Sequence, residues 1–216
     1  MTRWEPDARG RLQEAAMELY GERGFDQTTV AEIAARAGLT ERTFFRYFAD
    51  KREVLFWGSD ALKKILADAL ACAPATASPM DAVAAALEAT APGFDERRDR
   101  ARKRHALIVA HAELQERELI KLASLASVIA AALRQRGVTD PAASLTAEVG
   151  VAVFKIAFEA WVTDKKRRGF SQHVRESLGV LKRVAVGRAS SRTRRSTSPA
   201  FPSGRVACTT RARTRV

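Results

Sequence analysis

Residues 25–55 read FDQTTVAEIAARAGLTERTFFRYFADKREVL, and this stretch decides the fold of the chain. It contains two short helical patterns, 29–36 and 40–47, joined at Gly38 by a turn of about three residues. Thr29 opens the first pattern with the spacing of a capping box, and a glycine permits the positive φ that a sharp turn requires. Two short helices joined in this way predict a helix-turn-helix.

The second of these helices has an apolar face and a polar face. Phe44 and Phe48 are four positions apart, so they share one side and are predicted to enter the core. The opposite side suits DNA, because arginine bridges the two acceptors of a guanine, while hydroxyl groups and lysine bind phosphates. By itself, the pattern fits a polar helix exposed to water equally well. The candidate contacts are Arg42, Thr43, Arg46 and Tyr47, with Lys51 at the start of the next helix.

The rest of the chain reads as helices separated by glycine and proline. We expect Pro92 and Gly93 to stop one helix, Pro141 to open a long one, Gly169 to break it and Ser171 to cap the last. No strand-length run alternates between apolar and polar residues. The sequence therefore predicts an all-α fold of nine helices. The helices outside the helix-turn-helix cover 9–23, 51–72, 79–90, 94–111, 114–136, 141–167 and 171–186.

Length and composition exclude several classes of protein. The chain has 216 residues, of which 46% are hydrophobic, and this allows a sizeable core and excludes full disorder. Two cysteines cannot form a disulfide framework, so we expect a reducing, cytoplasmic environment. Neither an apolar run of about 18 residues nor a secretory leader is found, so we expect no contact with a membrane.

The net charge of +12 is unevenly distributed. Residues 1–60 carry −2, residues 61–186 carry +6 and residues 187–216 carry +8. The last segment has eight arginines, no acid and no helical period, so we predict a disordered tail. It is a passive solvated segment, a weak phosphate-binding arm or sequence produced by a frame change. Bulk charge is therefore poor evidence for DNA binding by the N-terminal segment.

Catalytic and metal signatures are missing from the sequence. Cys72 and Cys208 lie far apart, and the three histidines, His105, His111 and His173, lack the spacing of metal ligands. There is no glycine-rich phosphate loop and no nucleophile elbow. We therefore predict that the protein is not an enzyme and holds neither a metal nor a cofactor.

The second half of the chain, between residues 94 and 161, mixes bulky apolar side chains with many alanines. Bulk that faces alanine either packs tightly as ordinary core or leaves a cavity. A basic run at 97–105 is either a solvated helix face or a site that captures a ligand phosphate at the mouth of an apolar pocket. The candidate ligand-binding residues are Phe94, Arg104, His105, Ile108, Val109, Leu122, Phe154, Phe158 and Trp161.

The last two helices are the candidate dimer interface, although their apolar faces also suit an intramolecular core. One recognition helix covers only a few base pairs, so a two-fold dimer that reads two half-sites gains affinity and specificity. Association through such a pair of helices would be symmetric. The candidate interface residues are Val149, Val153, Ile156, Ala160, Val174, Leu178 and Leu181.

The motif in 25–55 resembles the TetR family of bacterial transcriptional regulators, and the resemblance extends over residues 9–55. It implies three N-terminal DNA-binding helices, a connecting helix and a C-terminal domain for ligand binding and dimerisation. The residues that carry it are Thr29, Ile33, Ala34, Ala37, Gly38, Leu39, Thr40, Phe48, Lys51 and Leu55.

The resemblance also implies roles for single residues. The positions where the family usually meets bases or nearby backbone are matched by Thr40, Arg42, Thr43 and Arg46. The positions where it meets phosphates are matched by Tyr47 and Lys51. Phe45 departs from the pattern, because many members have a tyrosine there whose hydroxyl binds phosphate; Phe45 can still pack against the sugar-phosphate. The full candidate DNA-binding set is Thr29, Thr40, Arg42, Thr43, Phe45, Arg46, Tyr47 and Lys51.

Residues 104–161, together with TERTFFRYF at 40–48, resemble the actinobacterial subgroup of that family that includes the mycofactocin regulator. The resemblance implies an acyl-CoA-like ligand-binding domain. An acyl chain would occupy an apolar tunnel, and its phosphorylated head would lie near basic side chains.

These observations predict a homodimeric, ligand-responsive regulator that binds double-stranded DNA. We expect a repressor that a small apolar or acyl-CoA-like effector releases from a palindromic operator, although an activator would use the same DNA contacts. The expected domains are a helix-turn-helix domain (1–52), a ligand-binding and dimerisation domain (53–186) and the tail (187–216). The alternative is a sequence-non-specific nucleic-acid-binding protein that acts through its basic tail.

Overall fold

A computed structural model of the chain describes residues 7–185, and every regular element in that part is a helix. The predicted all-α fold is confirmed, whereas the tail at 187–216 lies outside the described residues. No helix between residues 7 and 185 is long and apolar enough to cross a bilayer. The helices are α1 Ala8–Arg23, α2 Val30–Arg36, α3 Glu41–Tyr47, α4 Glu53–Phe56, α5 Ser59–Cys72, α6 Pro79–Ala89, α7 Ala91–Glu96, α8 Arg98–Ala110, α9 Ala112–Gln135, α10 Ala142–Thr163 and α11 Phe170–Ala185.

All nine predicted helices are present in the described part, two of them in two pieces. The predicted helix 51–72 is interrupted after α4, and the predicted helix 94–111 corresponds to α7 and α8. Pro92 and Gly93 do not stop α6 but lie inside α7, where a proline in the first turn loses no hydrogen bond. The break falls at Thr90, whose hydroxyl donates to the Leu87 carbonyl.

The turn between α10 and α11 corrects another sequence expectation. α10 ends at Thr163, well before Gly169, because the Asp164 carboxylate organises a tight turn. It accepts hydrogen bonds from the backbone N–H of Lys166 at 2.9 Å and from the Arg168 guanidinium at 2.8 Å. These contacts hold the pKa of Asp164 well below its usual range.

The start of α11 is capped from another helix. α11 begins at Phe170, so Ser171 lies inside it and is not the cap that the sequence predicts. The backbone N–H of Phe170 donates to Asp95 of α7 at 3.0 Å, and the Trp161 indole donates to the same carboxylate at 2.9 Å. This capping residue is 75 positions away in the chain, beyond the reach of any local pattern.

The buried side chains form two apolar clusters. One belongs to α1–α4 and also takes in Ile108 of α8 and Leu114 of α9. The other is built from α5, α6, α9, α10 and α11. Packing of the first cluster therefore continues past the predicted domain boundary at residue 52, since Val54, Leu55 and Phe56 are buried within it.

Candidate DNA-binding and effector sites

The helix-turn-helix forms from α2 and α3 as its local sequence indicates. Thr29 and Glu32 make the reciprocal contacts of a capping box at the start of α2. Gly38 has a φ of 66°, a conformation that glycine adopts without steric cost. Leu39 then turns back, with its N–H donating to the Ala34 carbonyl at 2.8 Å, and packs against the N-terminal core.

The recognition helix α3 has one buried face and one exposed face. Phe44 and Phe48 are buried as predicted, and their rings lie 5.4 Å apart. Arg42 and Arg46 are exposed, and Phe45 remains 54% exposed at the edge of the same surface. The buried rings anchor the helix, so the outward side chains are presented from a rigid element.

Ion pairs reduce the number of cations that this region can offer to DNA. The segment 36–52 contains five basic residues. Arg36 is held by two glutamates of α1, and Arg52 is held by Asp50 at 2.7 Å. Among the described residues, no carboxylate pairs with Arg42 or Arg46. These two arginines are therefore the cations of the recognition helix that can reach a nucleic acid without breaking an ion pair.

Lys51 has a different environment from the one expected of a phosphate contact. Its ammonium donates to the carbonyls of Phe25 at 2.9 Å, Asp26 at 3.2 Å and Thr28 at 3.1 Å. It also lies 4.5 Å from the centre of the Phe25 ring. All three N–H groups of an ammonium are thus occupied, so Lys51 holds the loop between α1 and α2 and has no donor left for a phosphate in this conformation.

The candidate hydroxyl groups also make local contacts. Thr40 caps α3 by accepting from the N–H of Thr43 at 3.2 Å, and the two hydroxyls lie 3.1 Å apart. Thr29 is bonded to Glu32 in the capping box. Tyr47 accepts a hydrogen bond from Arg46 at 3.2 Å. The threonines therefore shape the helix ends, and Tyr47 orients the nearby guanidinium.

Sequence reasoning missed Arg9, which lies in the first turn of α1. Its guanidinium carbon is 5.6 Å from the ring centre of Tyr47, 5.9 Å from that of Phe48 and 5.6 Å from that of Trp57. Arg46 stacks on the same Tyr47 ring at 4.8 Å. Nothing local marks Arg9, because its partners lie about forty to fifty positions away and only the tertiary structure unites them.

Ion pairs also join α4 to the C-terminal helices. Glu53 of α4 pairs with Arg117 and with Lys121, at 2.9 Å for the latter, both on α9. Arg104 of α8 donates to the Leu55 carbonyl at 2.6 Å and lies close to Glu118 of α9. Arg104 is one of the candidate ligand residues, and in this structure its guanidinium binds the segment that follows α3.

Several candidate ligand residues form an aromatic cluster. The Phe94 ring has its centre 4.8–5.8 Å from the ring centres of Phe154, Phe158, Trp161 and Phe170. The His105 ring lies against Phe158 at 5.8 Å. Its buried Nδ1 atom has no hydrogen-bond partner among the described residues.

Other candidate ligand residues lie elsewhere. Ile108 is buried in the N-terminal cluster, together with side chains of α1–α4. Val109 is exposed at the surface, and Leu122 packs against the edge of the C-terminal core. Sequence periodicity shows that such residues are apolar but not which neighbouring helix covers them.

The basic run at 97–105 is divided in the same way. Arg98 is buried, donates to the Arg168 carbonyl at 2.9 Å and lies over the Trp161 ring at 4.9 Å. Arg100 donates to Gln13 of α1 at 2.9 Å. Half of the six basic residues therefore make structural contacts, while the side chains of Arg97, Arg102 and Lys103 remain exposed.

The candidate dimer residues occupy both inner and outer surfaces. Val153, Val174 and Leu178 are buried in the chain's own core, so they are not available to a partner. Ile156 is 59% exposed and Ala160 is exposed, while Val149 and Leu181 are partly buried. The structure adds exposed residues that the sequence did not single out, namely Leu145, Ala152, Val180 and Val184.

Comparison with known families gives two matches that together cover most of the chain. Residues 12–56 match the family described as bacterial regulatory proteins, tetR family. Residues 77–185 match the family described as MftR C-terminal domain. The first match contains α2 and α3, and the second contains the aromatic cluster and the outer face of α10 and α11.

Individual proteins show the same similarity. The HTH-type transcriptional regulator TcmR of Streptomyces glaucescens is 37% identical over 81 residues, a match that spans 38% of this chain and only 36% of that protein. The Mycobacterium tuberculosis protein named as the mycofactocin biosynthesis transcriptional regulator MftR is 29% identical, with 78% of this chain and 84% of that protein covered. The structure of the transcriptional regulator FadR from Bacillus subtilis in complex with stearoyl-CoA has a TM-score of 0.57, 16% identity and coverage of 80% of this chain and 96% of that one.

Proposed function

Because the chain belongs to the tetR family of bacterial regulatory proteins, we propose that it is a homodimeric repressor. In this proposal it binds a palindromic operator and releases it when a small apolar or acyl-CoA-like effector enters the C-terminal domain. The observation that carries the proposal is the exposed face of α3, where Arg42 and Arg46 project without a carboxylate partner among the described residues. Arginine can bridge the two acceptors of a guanine in the major groove.

Dimerisation is supported by an apolar stripe on the outer face of α10. Its members recur every three or four positions, so they share one side of the helix. A stripe of this kind on a soluble protein indicates an interface, and two copies related by a two-fold axis would bury it symmetrically. It consists of Leu145, Val149, Ala152, Ile156 and Ala160, beside Val180 and Val184 of α11.

The Ile156→Glu variant is expected to be monomeric at concentrations at which the wild type is a dimer. Like charges brought together across an interface cost several kcal/mol, so the dimer dissociation constant should rise by about a hundredfold or more. Sedimentation velocity measures the change. Ile65→Glu, at an exposed isoleucine of α5, is the matched control and should remain dimeric. A dimeric Ile156→Glu protein would contradict this assignment of the interface.

The effector in this proposal is an acyl-CoA or a similar acyl conjugate. The acyl chain is assigned to the apolar surroundings of the rings around Phe94 and the alanines of α9 and α10, which a bound chain would have to part. Arg102 and Lys103 of α8 remain exposed and are assigned to the phosphorylated head, because guanidinium and ammonium groups bind phosphate. The MftR-type C-terminal family and the acyl-CoA complex of the FadR relative motivate this choice of ligand.

One helix connects the proposed effector site to the DNA-binding helices. On α8, His105 contacts the aromatic cluster while the adjacent Arg104 binds the Leu55 carbonyl of α4. A ligand that displaces α8 would therefore move α4 and change the distance between the helix-turn-helix units of the two protomers. Such a ligand acts only through its different affinities for the two conformations.

Acyl-CoAs of increasing chain length are expected to bind the dimer and to release promoter DNA. Each buried methylene contributes about 0.8 kcal/mol, so affinity should rise about fourfold per added CH₂ until the chain fills its site. Calorimetric titration and DNA-binding assays with each acyl-CoA measure both effects, with coenzyme A alone as the ligand control. Replacing Arg102 and Lys103 by alanine should weaken binding, whereas replacing Lys165 and Lys166 should not. No binding and no DNA release for any chain length would refute this effector class.

A further inference from the structure

We propose that Arg9 binds a phosphate of the DNA backbone and that Tyr47 and Trp57 hold it in place for this contact. The inference rests on the proposed DNA-binding function and extends the contact surface from the recognition helix to the first turn of α1. Arg9 belongs to none of the motifs that point to DNA binding.

The first reason is the position of the guanidinium. Arg9 is exposed, yet it contacts the ring of Tyr47, the last residue of the recognition helix, at 5.6 Å. Trp57 faces it at the same distance from the short connection between α4 and α5. A long side chain normally loses much conformational freedom when it binds a ligand. The rings restrict Arg9 in advance, so less freedom is lost when a phosphate is bound.

The second reason is the charge balance around the Tyr47 ring. Arg46 stacks on this ring at 4.8 Å, so two guanidinium groups lie within 6 Å of one ring centre. Two neighbouring cations repel each other, and an anion placed between or beside them relieves that repulsion. A phosphate of the duplex is the anion that the end of a recognition helix meets.

The third reason is that nearby acids already have partners. Arg9 and Trp57 line a cleft of about 350 Å³ that also contains Glu53 and Asp60. Glu53 is neutralised by two bases of α9, and Asp60 pairs with Lys63 at 3.1 Å. No ion pair joins Arg9 to any residue between 7 and 185. Its charge therefore remains available, and guanidinium geometry matches phosphate oxygens well.

The salt dependence of DNA affinity tests the proposal. The plot of log K against log salt concentration has a negative slope, and each phosphate contact contributes about 0.9 to its magnitude. Arg9→Ala should therefore reduce the magnitude of the slope by about 1.8 for a homodimer. Affinity at about 0.1 M salt should fall on the order of tenfold or more. The probe is a duplex from the gene's own promoter, and the binding is measured by fluorescence anisotropy.

Matched variants separate a phosphate contact from a structural role. Arg134→Ala removes the same charge at the far end of α9 and should leave the slope unchanged. Arg9→Lys should retain the slope with reduced affinity, because lysine keeps the charge but lacks the planar group that stacks on the rings. Trp57→Phe should bind better than Trp57→Ala, and the effects of Trp57→Ala and Arg9→Ala should not be additive.

Two results would overturn the proposal. If Arg9→Ala lowers affinity with an unchanged slope, Arg9 supports the fold and touches no phosphate. If it changes neither affinity nor slope while Arg46→Ala abolishes specific binding, Arg9 has no role and the DNA-binding proposal stands. If both Arg46→Ala and Arg42→Ala retain specific binding, the assignment of the recognition helix fails instead. Thermal melting of each variant by circular dichroism verifies that the protein is folded.

Discussion

Arg46→Ala is expected to abolish specific operator binding without unfolding the protein. Arg46 is exposed on α3 and makes no ion pair in the described structure. Within the protein it contacts its neighbour Tyr47 through a hydrogen bond and a stacked ring, so its replacement should leave the fold intact. A bidentate contact to a base contributes about 1–3 kcal/mol. A homodimer loses two such contacts, so affinity for the operator should fall between about thirtyfold and twenty-thousandfold.

The measurement compares a promoter duplex with a random duplex of equal length at one salt concentration. Arg46→Ala should bring the two affinities close together, since contacts to phosphates are shared by all sequences. Arg134→Ala, with the same loss of charge at a remote site, should preserve the difference. Specific binding that survives in both Arg46→Ala and Arg42→Ala would show that α3 does not read the operator.

Trp161→Ala is expected to cause the largest loss of stability of any single replacement considered. Trp161 is fully buried, its ring lies within 6 Å of three phenylalanine rings, and its indole donates to Asp95. Removing a buried aromatic side chain costs about 3–5 kcal/mol, because the lost contacts leave a cavity that closes only partly. The loss is a large fraction of the stability of an ordinary domain.

Urea denaturation measures this effect. The protein concentration is held fixed, because dimerisation makes the midpoint of the transition depend on it. Trp161→Phe is the informative comparison. It keeps an aromatic ring but removes the N–H donor. The free energy of unfolding should fall by about 1–3 kcal/mol because the hydrogen bond to Asp95 is lost, and by a further amount because part of the packing is lost. Equal stability of Trp161→Ala and the wild type would show that the aromatic cluster is not a packed core.

The helix-turn-helix was predictable in detail because its determinants are local. The capping box of Thr29, the turn at Gly38 and the burial of Phe44 depend on residues within about four positions of each other. The same applies to the two faces of α3. Helix geometry converts such spacings directly into faces and caps, so the structure confirms what the pattern indicates.

Local patterns did not indicate the partners of residues that have several possible contacts. Lys51 has the spacing of a phosphate contact, yet three backbone carbonyls from the loop after α1 occupy its ammonium. Arg104 belongs to a basic run, yet it binds α4. Ser171 suits a helix cap, yet the carboxylate of Asp95 takes that role. A long or polar side chain bonds to whatever the fold brings near it, and that depends on contacts distant in sequence.

The candidate dimer face illustrates the same limit. Helical spacing groups Val153 with Val149 and Ile156, but a period alone does not say which part of an apolar stripe faces the chain's own core. Packing in the C-terminal core buries Val153 and leaves Ile156 exposed. The outer stripe therefore emerged only from the arrangement of neighbouring helices.

The sequence by itself determined the all-α class, the helix-turn-helix and the orientation of the recognition helix, because these depend on periodicity and on short-range hydrogen bonds. Only the tertiary structure decided which cations remain free for DNA, how α8 links the aromatic cluster to α4 and where Arg9 lies. Those features depend on pairs of residues far apart in the chain. Their encounter requires the packing of whole helices, which no local pattern records.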